Sequence, residues 1–191
     1  MRKLIAAFKI SVDGRTEGPE GYADWVRSWA DDYGLTPQVD ACVLGAGMYR
    51  TYEQYWTAIR NEPGTPHWID DTPPTPGEIE WAEVAARLPH YVLSRTLTSV
   101  AWPNTRIVRG LDEIADLKRR PGKDIYLMGG APTAAGALEA GLVDELRLIV
   151  HPLLAGEGPA LFATTQLRHG LELHDVRRMS DGRLSLVYGI R

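Results

Sequence analysis

The stretch from Ile125 to Phe162, IYLMGGAPTAAGALEAGLVDELRLIVHPLLAGEGPALF, constrains the fold more than any other part of the chain. Ile125 to Met128 is a short apolar run of the kind that forms a strand buried on both faces. Gly129-Gly130 lets the backbone turn where a side chain would block a ligand. Pro132 suits the first turn of a helix running through Ala135, Ala137 and Leu138 to a stop at Gly141. Leu142 to Leu146 then re-enters the sheet, giving a strand, a right-handed crossover and a parallel strand. A helix start in that position presents unpaired N–H groups and a positive dipole end, which suits a phosphate or pyrophosphate. The same glycines would equally serve a tight turn and close helix packing, and the segment alone does not separate the two readings.

With 191 residues the chain is expected to form one domain, 1–191, with a sizeable core. Its net charge of −4 and lack of basic runs argue against nucleic acid as a partner, while a local basic pocket for a phosphate needs only a few positive groups. Cys42 is the single cysteine and sits in the apolar run Ala41-Cys42-Val43-Leu44, so it reads as a core thiol. The first nine residues hold too short an apolar run for a signal peptide or a membrane span. A cytoplasmic protein without a membrane partner is the expectation.

Leu4 to Ile10 reads as a central first strand that leads into the turn Ser11-Val12-Asp13-Gly14. Tyr22 to Asp32 carries Trp25, Val26 and Trp29 at helical spacing and is expected to be a helix. Val39 to Leu44 is a second buried strand, followed by Gly45-Ala46-Gly47 and a helix from Met48 to Ile59. Asn61 to Gly77, rich in Pro, Thr and Asp, is expected to be a surface loop. Glu78 to Leu88 reads as a helix, Tyr91 to Ser94 and Arg106 to Val108 as strands, and Leu111 to Arg119 as another helix. Leu171 to Val176 and Leu184 to Ile190 flank the turn Ser180-Asp181-Gly182 as a terminal hairpin. About eight strands alternating with four or five helices imply an α/β protein: a mainly parallel sheet covered on both faces, closed by an antiparallel hairpin.

Ligand sites in such sheets lie beyond the carboxyl ends of the strands. Three loops stand there: Gly45-Ala46-Gly47, Ser94-Arg95-Thr96 and Gly129-Gly130. Gly45-x-Gly47-x-x-Arg50 lacks the third glycine and the following acidic strand end of a Rossmann dinucleotide site. Ser94-Arg95-Thr96 offers two hydroxyls and a guanidinium, enough for a phosphate monoester such as the 2′-phosphate of NADPH, or else a turn with a solvated arginine. The histidines show no HxH or HxxxH spacing, so no metal site is expected, and no Gly-x-Ser-x-Gly elbow supports hydrolase chemistry. Asp13-Gly14 and His151-Pro152 read as structural on their own. The aromatics Trp25, Trp29, Tyr52, Tyr55 and Trp56 line a pocket for a flat ring or simply form core.

Taken in order, Lys9-Ile10-Ser11-Val12-Asp13-Gly14, Leu44-Gly45 with Thr51-Tyr52-Glu53, Val92 to Leu97, Met128-Gly129-Gly130, Gly141 to Leu146 and Pro152 to Gly158 with Leu161-Phe162 cover nearly the full length. In this order the chain resembles the dihydrofolate-reductase-like superfamily, in particular the reductase domain of riboflavin biosynthesis. The resemblance implies a three-layer fold and an NADPH-dependent reductase of a heterocyclic or carbonyl small molecule, with NADH left open. It places the pyrophosphate at Gly129, Gly130, Ala131 and Thr133, the 2′-phosphate at Ser94, Arg95 and Thr96, and a second helix-start contact at Gly45, Ala46 and Gly47. The family's Gly-Arg stands here as Gly45-Ala46, which leaves Arg50 or Arg95 to compensate. Asp13, Trp25 and Tyr52 are the candidate substrate contacts and Asp24 the candidate acid, and the resemblance implies a homodimer. Two other readings remain: dihydrofolate reductase, with an essential carboxylate at Asp24 or Asp31, and a binding module without turnover.

Overall fold

The computed structural model describes residues 1–67 and 71–191. Eight strands form one sheet: β1 Leu4–Ser11, β2 Val39–Gly45, β3 His90–Leu93, β4 Thr105–Val108, β5 Asp124–Gly129, β6 Glu145–His151, β7 Leu171–Arg178 and β8 Leu184–Ile190. Their order is β4-β3-β2-β5-β1-β6-β8-β7. The first six are parallel, and β8 and β7 complete the sheet as an antiparallel hairpin. Four helices, α1 Ala46–Asn61, α2 Pro76–Ala85, α3 Leu111–Arg119 and α4 Ala131–Glu139, connect or cover the strands. Among the described residues no helix is long and apolar enough to cross a membrane.

β1 is central because every one of its eight residues is buried, with β5 on one side and β6 on the other. Leu4, Ala6, Phe8 and Ile10 point to one face and meet Ile114 and Leu117 of α3 and Ala134, Ala137 and Leu138 of α4. Ile5 and Ala7 point to the other and pack with Leu35 and Val39. A third cluster joins the α1 aromatics Tyr49, Tyr52, Tyr55 and Trp56 to Trp81 of α2, Cys42 and Trp102. Burial pushes the Cys42 thiol well above its ordinary range, as expected for a core thiol.

Three departures from the sequence reading have a visible physical cause. The expected helix over Tyr22–Asp32 is absent, and turns and extended chain stand in its place. Tertiary bonds take the backbone groups a helix would need. The Lys9 ammonium donates to the carbonyls of Ser28 and Ala30 at 2.5 and 3.2 Å, and the Trp29 N–H donates to Glu78 Oε1 at 2.8 Å. Second, α2 starts at Pro76, inside the expected loop. Thr75 accepts from the Glu78 N–H while the Glu78 carboxylate accepts from the Thr75 N–H, a reciprocal capping box with Pro in the first turn. The middle of that loop, residues 68–70, lies outside the described residues. Third, β6 begins at Glu145, because the Asp144 carboxylate accepts from the Leu4 N–H at 2.7 Å as a connector would.

His90 is fully buried between Tyr52 and Trp102, with ring centroids 5.5 and 4.7 Å away. Its Nδ1 lies 2.9 Å from the Leu88 carbonyl and must carry the proton. Burial pushes its pKa down to about 4. The unfolded chain therefore binds a second ring proton more tightly, and the stabilisation complete above about pH 6.5 fades as the pH falls toward 4, by up to about 3 kcal/mol. Urea unfolding is expected to weaken across that window, and His90→Gln to show a shallower decline. Equal slopes for the two proteins would show that His90 does not carry the effect.

Candidate functional site

The carboxyl ends of β2 and β5 are neighbours, with Leu44 paired to Gly129, and each runs directly into a helix. α1 starts after Gly45 and α4 after Gly130, and neither start has a side-chain cap. Two helix N-termini thus open side by side, roughly one strand spacing of about 5 Å apart. A Cβ at Gly45 would run into the Thr133 hydroxyl, so the absence of a side chain lets α4 dock against the end of β2. Gly129 has φ +117, and a Cβ there would lie 2.9 Å from Phe8 Cε1. The Gly129–Gly130 peptide is cis. The resulting floor of bare backbone, with Met48 and Phe8 beneath it and no acidic residue in the first turn of either helix, suits an extended phosphate chain.

Ser94, Arg95 and Thr96 follow β3, the next strand outward. The Ser94 hydroxyl accepts from the N–H groups of Thr96 and Leu97 at 3.3 and 2.9 Å, so it organises the turn. Arg95 is exposed. The structure adds Arg109, whose Nη1 donates to the Ser94 and Leu97 carbonyls at 2.8 Å each and sets a second guanidinium beside Arg95. The sequence reading passed over Arg109 because only the β3–β4 pairing brings it to this loop. Arg50 is exposed one turn into α1.

On the other side of the cradle, Asp13 fastens two loops together. Its carboxylate accepts from the Ser11 hydroxyl at 2.6 Å and from the Ala155 and Gly156 N–H groups at 2.9 Å. Those bonds hold the carboxyl well below its ordinary range. Gly158 belongs to the same junction: its φ is +97, and a Cβ would collide with the Glu17 carbonyl. Glycine there lets the loop after β6 zip onto the loop after β1.

A cavity of about 420 Å³ opens at the end of β6, lined among others by Trp25, Arg27, Ser28, His151 and Arg183. His151 pairs with Ser11 across β1 and β6, so the cavity lies on the same sheet edge as the cradle. Its Nε2 and the Trp25 indole N–H are buried without a hydrogen-bond partner. Burial, assisted by Arg183 and Lys9, lowers the His151 pKa to about 4, which leaves a neutral ring at pH 7. Arg183 is already engaged by Asp32 at 2.7 Å and Asp181 at 2.5 Å. Burial opposes charge on Asp32, but Lys9 and Arg183 outweigh it and keep the carboxyl low. Arg27 is exposed at the cavity wall.

The structure therefore brings Gly45, Ala46, Gly47, Gly129, Gly130, Ala131 and Thr133 together, and puts Trp25 in a separate cavity. Tyr52 is a core residue between Trp56, His90 and Trp102. Asp24 is exposed on a turn, whereas the Asp31 carboxylate is used by the Tyr33 and Thr36 N–H groups and the Thr36 hydroxyl. Without a helix after β1, the helix-borne carboxylate of the dihydrofolate reductase reading has no counterpart among the described residues.

A family model, the RibD C-terminal domain, matches residues 2–184. The uncharacterized protein YyaP of Bacillus subtilis is 34% identical over 194 residues, which cover 98% of this chain and 94% of YyaP. Two solved structures share the fold at low identity. The deaminase/5-amino-6-(5-phosphoribosylamino)uracil reductase of Thermotoga maritima matches with TM-score 0.62 and 13% identity over 98% of this chain and 56% of that one. Dihydrofolate reductase of Enterococcus faecalis, solved with NADP(H), matches with TM-score 0.60 and 12% identity over 99% of this chain and 96% of that one. The eight-stranded sheet with its terminal hairpin is dihydrofolate-reductase-like.

Proposed function

The chain belongs to the RibD C-terminal domain family, and from that premise we propose that it is an NADPH-dependent reductase of a heterocyclic or carbonyl small molecule, akin to the uracil reductase of riboflavin biosynthesis. The observation that carries the reading is the cradle. Two uncapped helix starts stand at adjacent strand ends, over glycines that no Cβ could replace without a clash at Gly45 or Gly129. Backbone N–H groups at Ala46, Gly47 and Ala131, with the Thr133 hydroxyl, hold the pyrophosphate. Arg95 and Arg109 take the 2′-phosphate, with Arg50 free to meet the other phosphates.

Bound there, the cofactor supplies a hydride. The chain supplies position: the Asp13 junction fixes the loops after β1 and β6, and the cavity beyond holds the acceptor molecule. The unpaired Trp25 N–H and His151 Nε2 recognise polar atoms of a flat ring, and Arg27 faces any anionic substituent. Proton delivery falls to an ordered water or to Asp24, the carboxyl next in sequence to Trp25.

Titration with NADPH and NADH, followed by tryptophan quenching, tests the reading. We expect a micromolar dissociation constant for NADPH and binding of NADH weaker by about 10- to 100-fold, the effect of losing charge-assisted bonds to one phosphate. Absence of binding by either nucleotide would sink the proposal.

A further inference from the structure

A second cavity, of about 170 Å³, lies between α4 and the sheet. Its walls include Ala6 of β1, Ala134 and Leu138 of α4, Leu146 near the start of β6, and Phe162 and Leu167 of the segment that follows β6. The cavity beside Trp25 and His151 opens at the other end of β6, so the two are separate. Small side chains make the room. Ala6 lies between Leu4 and Phe8 on one face of β1, and Ala134 takes the corresponding place on α4. The roof is the segment 162–170, and one carboxylate holds it. Glu139, the last residue of α4, accepts from the Gln166 and Leu167 N–H groups at 2.9 and 3.0 Å, with His169 Nε2 at 3.5 Å.

Two features of this cavity ask for an occupant. Thr165 lines it, and the Thr165 hydroxyl is buried without a hydrogen-bond partner among the described residues. A buried polar group left unpaired costs stability. The rest of the lining is apolar apart from His169, and its size slightly exceeds the roughly 150 Å³ at which an apolar cavity stays dry and accepts a benzene ring. Left empty, such a space forfeits the contacts of its walls. One kind of molecule answers both features. We propose that the cavity is a binding site for a small neutral ring carrying a single hydroxyl, of the class of phenol, with the ring against Leu138, Leu146 and Phe162 and the hydroxyl on Thr165 Oγ1. A charged group has no place there, because the one ionisable side chain of the lining, His169, is already turned to Glu139. The site stands independently of the reductase reading.

Amide proton–nitrogen correlation spectra of the full chain, titrated with phenol or with toluene to about 5 mM, test this without reference to catalysis. Phenol is expected to bind with a dissociation constant of about 1 mM or tighter, within reach of so small a molecule, and to shift the amides of Leu138, Thr165, Leu167 and His169. Thr165→Val keeps the shape of the wall and removes the hydroxyl. It is expected to weaken phenol about 5- to 10-fold and to change toluene, which has no hydroxyl to lose, by less than about twofold. Leu138→Phe fills the space from α4 and is expected to abolish binding of both. Wild type without saturable shifts, shifts centred on Trp25 and His151 instead, phenol bound equally well by Thr165→Val, or phenol still bound by folded Leu138→Phe would each overturn the inference.

Discussion

Gly130→Asp is expected to raise the NADPH dissociation constant at least about 100-fold while leaving the melting temperature unchanged or slightly higher. The position separates binding from folding as its neighbours do not. Gly45 and Gly129 cannot take a Cβ without striking Thr133 or Phe8, so changes there would disturb the β2–β5 junction itself. At Gly130 φ is −70, open to any residue, and the nearest atom to an added Cβ is Pro132 Cδ at 3.9 Å, an ordinary contact. Gly130 is also the N-cap of α4 and has no capping side chain to offer. Aspartate is among the best N-caps, so the substitution stabilises the helix start by about 0.5–1 kcal/mol. The same carboxylate occupies the anion site beside the Ala131 N–H and repels a pyrophosphate, which loses about 3 kcal/mol or more of attraction. Fluorescence titration and a thermal melt on one preparation read the two effects. Affinity within threefold of wild type would remove the pyrophosphate from this helix start.

The cradle was legible in sequence because its signals are local. Strand, diglycine, Pro132 and the stop at Gly141 follow one another, and the structure spaces them as read. The terminal hairpin was legible for the same reason, with Ser180-Asp181-Gly182 between two apolar runs. The segment after β1 was not. Trp25, Val26 and Trp29 have helical spacing, yet the backbone there bonds to Lys9 and Glu78, partners up to 49 residues away. Periodicity reports which residues are apolar, and it is silent on which distant donor claims a carbonyl. Arg109 has no local signal and His151 reads as structural on its own for the same reason: each reaches the site through strand pairing, Arg109 beside β3 and His151 beside Ser11. Tyr52 was read toward the substrate because its residue type suits a flat ring, whereas α1 turns it into the aromatic core.

Lys9 carries the second large expectation, since it decides whether that irregular segment holds its shape. Its side chain is 1% exposed, on the face of β1 that looks toward residues 22–38. Burial works against its charge and Arg183 adds to that, lowering its pKa, while two carbonyls and the Asp32 carboxylate accept from its nitrogen and the rings of Trp29 and Tyr33 stand 5.9 and 6.0 Å away, offsetting part of the cost. Lys9→Met keeps the volume and removes every donor. Asp32 retains Arg183 at 2.7 Å, so the carboxylate is not stranded, but the carbonyls of Ser28 and Ala30 lose their partner. The loss is expected to be about 3 kcal/mol, below the upper end for a broken buried pair because Arg183 remains, and to lower the melting temperature by about 6–12 °C. The damage should also be local. Ser28 and its neighbours Trp25 and Arg27 wall the cavity, whereas the cradle rests on β2, β5 and two helices that Lys9 does not touch. NADPH affinity is therefore expected to stay within about threefold of wild type at a temperature where the variant is folded, and KM for any reducible substrate to rise more than kcat falls. A melting temperature within 2 °C of wild type, or a parallel loss of NADPH affinity, would show that Lys9 does not organise the substrate side separately from the cofactor side.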